Sequence, residues 1–167
     1  MIKPLFQKIV VAINGSDQSL HAAMYAILLA KQYKCSLKAV YVVDTAALKF
    51  LSMSKFFLKT ESQKYEENLL NDGKKYLEQV VTFAKVKGVK VETELRKGSP
   101  WSEILHVADD FGADLILLGG KEHSASSLSS EVARDRASST NMDIIGSARC
   151  NVLVVRQKDI EKLFKIG

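Results

Sequence analysis

The sequence predicts an α/β protein with a doubly wound parallel sheet, covered by helices on both faces. One observation is a set of short, nearly continuous apolar runs, which are typical of strands buried on both faces. A second is that segments with helical spacing of apolar residues separate these runs, as in βαβ units. The third is the run Leu115–Leu118, which stops at Gly119 and Gly120. Ligands of such sheets bind beyond the carboxyl ends of the strands, so we expect the site near these glycines.

The first βαβ unit is clear in the sequence. Lys8–Ile13 predicts a buried strand, and Ser36–Val43 predicts the next one, closing on Asp44. Between them, apolar residues repeat at helical spacing, and the helix is expected to end near Tyr33. Ser16 or Ser19, in the turn after the first strand, is expected to cap this helix.

The connection from Thr45 to Thr60 is too apolar for a solvated loop. One interpretation is a flap or short helix packed over the sheet edge, and the other is a lid or an interaction surface beside the site. The large apolar side chains in this segment are Leu48, Phe50, Leu51, Met53, Phe56, Phe57 and Leu58.

The rest of the chain continues the alternation. A long helix from about Glu61 to Lys87 is expected to end at Gly88, with a stripe that includes Val81 facing the core. The next predicted elements are an edge strand, a helix capped by Ser99 with Trp101 facing inward, a fourth strand, a short helix and a fifth strand. Their predicted ranges are Val89–Leu95, Pro100–Phe111, Asp114–Gly119, about Ser139–Ala148 and Asn151–Arg156.

The totals favour one domain over residues 1–167. Net charge is +5, but the lysines are scattered and not interleaved with aromatic residues, so direct nucleic-acid binding is not expected. No apolar run approaches the roughly 20 residues that span a membrane, and no signal peptide is apparent, so a cytoplasmic protein is expected. His21, His106 and His123 are scattered without a metal-ligand spacing or a nucleophile motif. We therefore predict neither catalytic residues nor a metal site in the protein itself.

Three segments in order resemble the universal stress protein family over nearly the whole chain. The first, Ile9–Ser19, is similar to the family's opening strand and its V-D-G-S-x-x-S turn. The second runs from Gly98-Ser99-Pro100 to Gly119 and resembles G-x-P…I…A…A-D-L-I-V-x-G. The third, Ala148–Val155, resembles the closing A-P-C-P-V-L-V-V.

The resemblance implies a sheet of order 3-2-1-4-5, with the switch point between strands one and four. It also implies a homodimer formed through the last strand, Val152–Val155, and an adenine-nucleotide site that takes ATP, with Mg²⁺ accompanying it. On that topology Cys35 and Cys150 lie about 14 Å apart, too far for a disulfide, and both are expected to be buried as small apolar residues. The family's ATP motif, G-x2-G-x9-G-[ST], follows strand four. The candidate nucleotide contacts are Ala12, Ile13, Asn14, Gly15, Ser16, Val42, Val43, Gly119, Gly120, Glu122, Ser138, Ser139 and Thr140.

The chain departs from this motif in several places. Glu122 stands at the second glycine, and Asn14 replaces the family's Asp. The closing pair is Ser138-Ser139, and a Ser-rich insertion covers about residues 121–137. Arg134 and Arg136 in this insertion either contact a phosphate or lie in a solvated loop. A short extension covers about residues 157–167.

The first functional hypothesis is a stress-response protein that acts by binding and association. Within it, the adenine-nucleotide site is either altered or lost. A second hypothesis is a slow ATPase or nucleotide-dependent phosphotransfer protein. A third is a partner-binding module that uses the Thr45–Thr60 segment and no nucleotide.

Overall fold

A computed structural model describes residues 2–53, 59–120 and 139–167. Within them, five parallel strands form one sheet of order β3-β2-β1-β4-β5, which confirms the predicted doubly wound fold. The strands are β1 (Lys8–Ile13), β2 (Ser36–Asp44), β3 (Val91–Gly98), β4 (Leu115–Gly119) and β5 (Asn151–Val155). The helices are α1 (Asp17–Tyr33), α2 (Thr45–Met53), α3 (Lys59–Val86), α4 (Pro100–Phe111), α5 (139–147) and α6 (Ile160–Ile166).

The sheet separates two apolar cores because successive side chains of a strand point to opposite faces. Ile9, Val11 and Ile13 of β1 belong to the core under α1, α3 and α6. Val10 of the same strand belongs to the core under α4 and α5, together with Ile144. Burial on both faces explains why the central strands are continuous apolar runs.

Asp114 does not belong to β4, as the sequence suggested, but closes the start of β1. Its carboxylate accepts hydrogen bonds from the backbone amides of Gln7 at 2.8 Å and Lys8 at 3.2 Å. The predicted start of β4 was therefore one residue early.

The helix ends follow the predicted punctuation with one exception. Ser16 caps α1 by accepting a hydrogen bond from the Ser19 amide, and Gly88 and Gly112 follow α3 and α4 with φ of 70° and 72°. Ser99 stands at the N-cap of α4, but its side chain makes no capping hydrogen bond. The helix begins instead with Pro100, whose ring already has a helical φ.

Two side chains predicted to face inward are exposed. Trp101 is 38% exposed at the start of α4, and Val81 is 39% exposed on α3. Each lies at the border of an amphipathic stripe, where sequence spacing is least able to predict whether a side chain is buried. The predicted third strand was also placed too early, because β3 runs from Val91 to Gly98.

The Thr45–Thr60 connection begins with helix α2, whose Leu48 is buried in the core shared with α3. This confirms a packed short helix for its first part. Asp44 starts the helix by accepting a hydrogen bond from the Ala47 amide at 2.9 Å. Residues 54–58 and the side chains of residues 50–60 lie outside the described part of the chain.

Cys35 and Cys150 are both free thiols, as predicted, although each is half-buried and not fully buried. Burial is the main cause that raises the pKa of both thiols, and the Asp114 carboxylate adds to the effect at Cys35. Across the described residues, the helices are all too short or too polar to cross a membrane.

Candidate functional site

The candidate site is the place at the carboxyl ends of β1 and β4 where the two strands stop pairing, which we call the crevice. The two strands pair from Ile9 opposite Leu115 to Val11 opposite Leu117. Each strand then continues for two more residues, to Ile13 and Gly119, beyond the end of that ladder. The backbones therefore separate at the point where the strand order reverses, which is the ligand position of doubly wound folds.

The turn after β1 forms one wall of the crevice, and its polar groups bond to one another. The Asn14 side-chain oxygen accepts hydrogen bonds from the Ser16 amide at 3.0 Å and the Ser16 hydroxyl at 2.6 Å. The Ser16 hydroxyl oxygen in turn accepts from the Ser19 amide at 3.1 Å. An Asp side chain offers the same acceptor oxygen, so Asn14 preserves the turn geometry while removing a negative charge.

Helix α1 begins at this wall with two amides that the cap does not satisfy. Ser16 satisfies the amide of Ser19, whereas the amides of Asp17 and Gln18 precede the first intrahelical hydrogen bonds. They lie at the positive end of the helix, where an anionic group is stabilised.

Tyr76 of α3 covers the same turn, a contact that the sequence analysis did not predict. Gly15 has φ of 85°, and a Cβ at Gly15 would lie 2.7 Å from Cε2 of Tyr76. Tyr76 also stacks on Tyr41 of β2, with ring centroids 6.2 Å apart and planes 15° apart. The turn after β1 therefore rests against an aromatic pair, which helical spacing alone did not reveal.

The end of β4 forms the other wall, and its glycines are required by close packing. A Cβ at Gly119 would lie 2.7 Å from the carbonyl carbon of Gln18. A Cβ at Gly120 would lie 2.9 Å from the Val155 carbonyl oxygen, which accepts the Gly120 amide hydrogen bond at 3.0 Å. Neither glycine has a positive φ, so both serve close approach rather than an unusual turn.

Helix α5 is connected to this wall by Asn141. Its side-chain amide donates a hydrogen bond of 2.9 Å to the Gly119 carbonyl oxygen. Ser139 is exposed and Thr140 half-buried at the described start of α5, two turns before Ser147. The predicted Ser-Thr segment and the end of β4 are thus brought together.

The structure places most of the predicted nucleotide contacts at one edge of the sheet, but not all as side-chain contacts. Ile13 and Val43 are 3% and 1% exposed, with their side chains in the core under α1 and α3. Only their backbones are available to a ligand. Val42 and Ala12 are half-buried on the α4 face. Glu122, Ser138, Arg134 and Arg136 lie outside the described residues.

Within residues 2–53, 59–120 and 139–167, no three His, Cys, Asp or Glu side chains are grouped so that they could hold a metal ion. A cavity of about 450 Å³ is present, but it lies at the opposite, amino-terminal edge of the sheet. The crevice at the switch point is defined by separated strands and backbone amides.

The sheet order defines the class: a doubly wound α/β protein whose strand order reverses between the first and fourth strands. The profile of the universal stress protein family matches residues 5–156. The chain belongs to the universal stress protein family.

Relatives and solved structures agree with this assignment. The chain is 35% identical to a universal stress protein of Methanocaldococcus jannaschii over 155 residues, 92% of this chain and 84% of the relative. It is 33% identical to one of Bacillus subtilis, covering 70% of this chain and 80% of that protein. The universal stress protein UspA of Lactobacillus plantarum has the same fold, with a TM-score of 0.70 and 25% identity over 92% of this chain and all of that one.

Two further structures of this fold were solved with nucleotides. One is a universal stress protein in complex with cAMP, with a TM-score of 0.57 and 20% identity over 90% of this chain and 97% of that one. The other is a universal stress protein of Archaeoglobus fulgidus in complex with dAMP, with a TM-score of 0.61 and 17% identity over 92% of this chain and all of that one.

Proposed function

We propose that this universal stress protein is an adenine-nucleotide-binding protein that acts by association rather than by turnover. ATP is the proposed ligand, accompanied by Mg²⁺, and the site is the crevice between β1 and β4. The observation that carries the proposal is the separation of the two strands after Val11 and Leu117. The cAMP and dAMP complexes of two proteins with this fold support the ligand class.

The crevice supplies donors suited to phosphate. The amides of Asp17 and Gln18 stand at the positive end of α1, and the hydroxyl of Ser139 stands at the described start of α5. Asn14 keeps an acceptor oxygen at the position of the family's Asp, and this oxygen accepts hydrogen bonds from Ser16. Backbone groups of Ile13 and Val43 at the strand ends are available for the base, since their side chains are buried.

Calorimetry with ATP, with and without Mg²⁺, tests this proposal on the full chain. We expect the parent protein to bind ATP with micromolar affinity. The Ser139→Glu variant should bind about tenfold or more weakly, because it places a negative charge near the negatively charged phosphates. Ser147→Glu is the matched control, because it adds the same charge to the exposed far end of the same helix. Its affinity should stay within about twofold of the parent protein, a difference below roughly 0.5 kcal/mol.

The position of the ligand is tested separately by amide chemical shifts. Binding in the crevice should move the resonances of Gly15, Gln18 and Gly119 more than those of residues at the amino edge of the sheet. No binding at millimolar ATP, or shifts confined to other regions, would contradict the proposal.

We also propose a homodimer through the β5 edge. β5 is the last strand of the sheet, and its Val152, Leu153 and Val154 are only half-buried. On the neighbouring α5, Ile144 packs into the core with Val152, whereas Met142 and Ile145 are 66% and 47% exposed. Within the described residues no strand pairs with the outer edge of β5, and an apolar edge beside exposed apolar side chains favours a second copy as its cover.

Light scattering after size-exclusion chromatography tests the dimer. The double variant Met142→Lys/Ile145→Lys should shift the protein toward the monomer, since both side chains are exposed and belong to neither apolar core. Leu163→Lys/Ile166→Lys, at exposed positions of α6, should leave the dimer intact. A parent protein that is monomeric at about 100 μM would contradict the proposed interface.

We also propose that the protein does not hydrolyse ATP and that it is located in the cytoplasm. ATP incubated with the protein should release phosphate no faster than in buffer, and steady release that is absent from a heat-unfolded sample would favour the ATPase hypothesis. The proposed compartment is the cytoplasm, which fractionation of cells expressing the tagged full chain would test.

A further inference from the structure

A cavity of about 450 Å³ lies at the amino-terminal edge of the sheet, away from the nucleotide crevice. Its walls are the last turn of α1, the chain after α3, and the first residues of β2 and β3. A cavity of this volume falls within the range of small-molecule sites. A strand of six residues, the length of β1, separates the two edges by about 20 Å.

The cavity is lined by four lysines, and among its described lining residues Glu92 is the single acid. The lysines are Lys31, Lys34, Lys87 and Lys90. Glu92 is already shared with Lys38, whose Nζ lies 3.7 Å from its carboxylate. The cavity therefore has a clear excess of positive charge.

Most of these lysines lack a partner in the described part of the chain. Lys87 lies over the Phe164 ring, with Nζ 4.8 Å from the centroid, a contact that leaves its charge uncompensated. No ion pair of Lys31, Lys34 or Lys90 occurs within residues 2–53, 59–120 and 139–167. Lysines that line one concave space, where the single carboxylate is shared with Lys38, repel one another, and a bound anion reduces that repulsion.

Helix termini explain only part of this charge. α1 and α3 both end at the cavity, and each terminus carries about half a negative charge, which favours lysine nearby. Two termini together offset roughly one of the four positive charges. Lys90 lies beyond the end of α3, four residues past Val86, so the helix dipole does not account for it.

We propose that this cavity binds a small polyanion that carries several phosphate or carboxylate groups. The lysine ammonium is a compact charge with three rotatable donors, so it can bind either phosphate or carboxylate. Arginine would favour planar bidentate recognition instead. Two residues with left-handed backbone, Lys34 and Gly88 with φ of 54° and 70°, turn the chain at the two helix ends and shape the cavity. The proposal does not depend on nucleotide binding at the crevice.

Calorimetric titration of the full chain with tripolyphosphate and with citrate tests this site. The double variant Lys31→Gln/Lys90→Gln should lower the affinity for the tighter-binding of the two ligands by about tenfold or more. Lys74→Gln/Lys75→Gln is the matched control, since it removes the same charge from exposed positions on α3. Lys75 lies 12 residues before Lys87, about 18 Å along the helix, and this variant should change the affinity less than about twofold.

Amide shifts distinguish this site from the nucleotide crevice, because tripolyphosphate resembles the phosphates of ATP. Binding at the cavity should shift the amide resonances of Cys35, Gly88 and Val89. The Ser139→Glu variant should bind tripolyphosphate with the same affinity as the parent protein. The ligand that binds tighter shows which of these two anions the cavity prefers. Equal weakening by the two lysine variants, shifts confined to Gly15 and Gly119, or no binding at millimolar concentrations would overturn the proposal.

Discussion

Gly119 of β4 and Gln18 of α1 approach so closely that no side chain fits between them. A Cβ at Gly119 would lie 2.7 Å from the Gln18 carbonyl carbon and 2.8 Å from the Ser19 amide nitrogen. Both neighbours are backbone atoms of a capped helix start, so neither can move alone. Gly119, at the end of the buried strand β4, is therefore needed for α1 to pack closely against β4.

Gly119→Ala should destabilise the protein by about 1–3 kcal/mol, the usual cost of overpacking a core. Gly146→Ala is the control on α5, where a Cβ would meet nothing within 4 Å. There the gain in helix propensity should stabilise the protein by up to about 1 kcal/mol. Urea unfolding of both variants measures the difference, and equal stability of the two would contradict the close contact.

Gly15 should couple energetically to Tyr76. Gly15→Ala introduces both left-handed strain and a contact of 2.7 Å with the tyrosine ring, whereas Gly88→Ala introduces the strain alone, with φ of 70° and open space. We expect Gly88→Ala to cost about 1 kcal/mol and Gly15→Ala about 1 kcal/mol more. In a Tyr76→Ala background the extra cost should disappear, which a double-mutant cycle of unfolding free energies measures. Additive effects would show that the ring moves aside freely.

Alkaline pH should destabilise the folded protein. Burial is the main cause that raises the pKa of the Tyr41 phenol, with the Asp72 charge adding to it, and burial also raises the pKa of the Cys35 thiol. A group whose pKa is raised by folding holds its proton more tightly in the folded state. Its contribution is present below the unfolded-state pKa and is lost as pH rises, from about 8.5 for a thiol and about 10 for a phenol.

Thermal unfolding between pH 7 and 10.5 measures this effect. Tyr41→Phe keeps the ring over Tyr76 and removes the titrating hydroxyl, so its stability should fall less steeply above pH 10 than that of the parent protein. Cys35→Ser should reduce the loss at the lower end of the range. Parallel curves for all three proteins would contradict the assignment.

Phe164 should contribute far more to stability than its neighbour Leu163. Phe164 is 8% exposed and packs on Phe83 with ring centroids 5.9 Å apart, whereas Leu163 is 39% exposed. Phe164→Ala should cost about 3 kcal/mol and Leu163→Ala less than about 1 kcal/mol. Guanidinium unfolding distinguishes them, and a small effect of both would mean that α6 does not stabilise the domain.

Several elements were readable from the sequence because local rules determine them. The residues before and after Val10 and Ile116 in the sequence are apolar. Neighbouring residues of a strand point to opposite faces of the sheet, and both faces of a central parallel strand must be buried. Gly112 marked the end of α4 because its left-handed φ favours glycine. The sheet order came from the family resemblance and is confirmed by the strand pairing. The position of the ligand site at the switch point stays a prediction.

Other features depended on contacts between distant parts of the chain. Asp114 accepts hydrogen bonds from amides 106 and 107 residues earlier, and Trp101 remains 38% exposed within the described part of the chain. Neither relation is encoded in local spacing. The predicted altered phosphate loop lies largely in residues 121–138, outside the described part of the chain.

The sequence alone determined the kind of strands and helices, because burial periodicity and backbone preferences act over a few residues. The tertiary structure decided why Gly119 is a glycine and that Tyr76 supports the turn at Gly15. It also brought together Lys31 and Lys90, which are 59 positions apart, at one cavity. Those outcomes depend on which helix ends converge, and convergence is set by packing against the sheet rather than by neighbours in the chain.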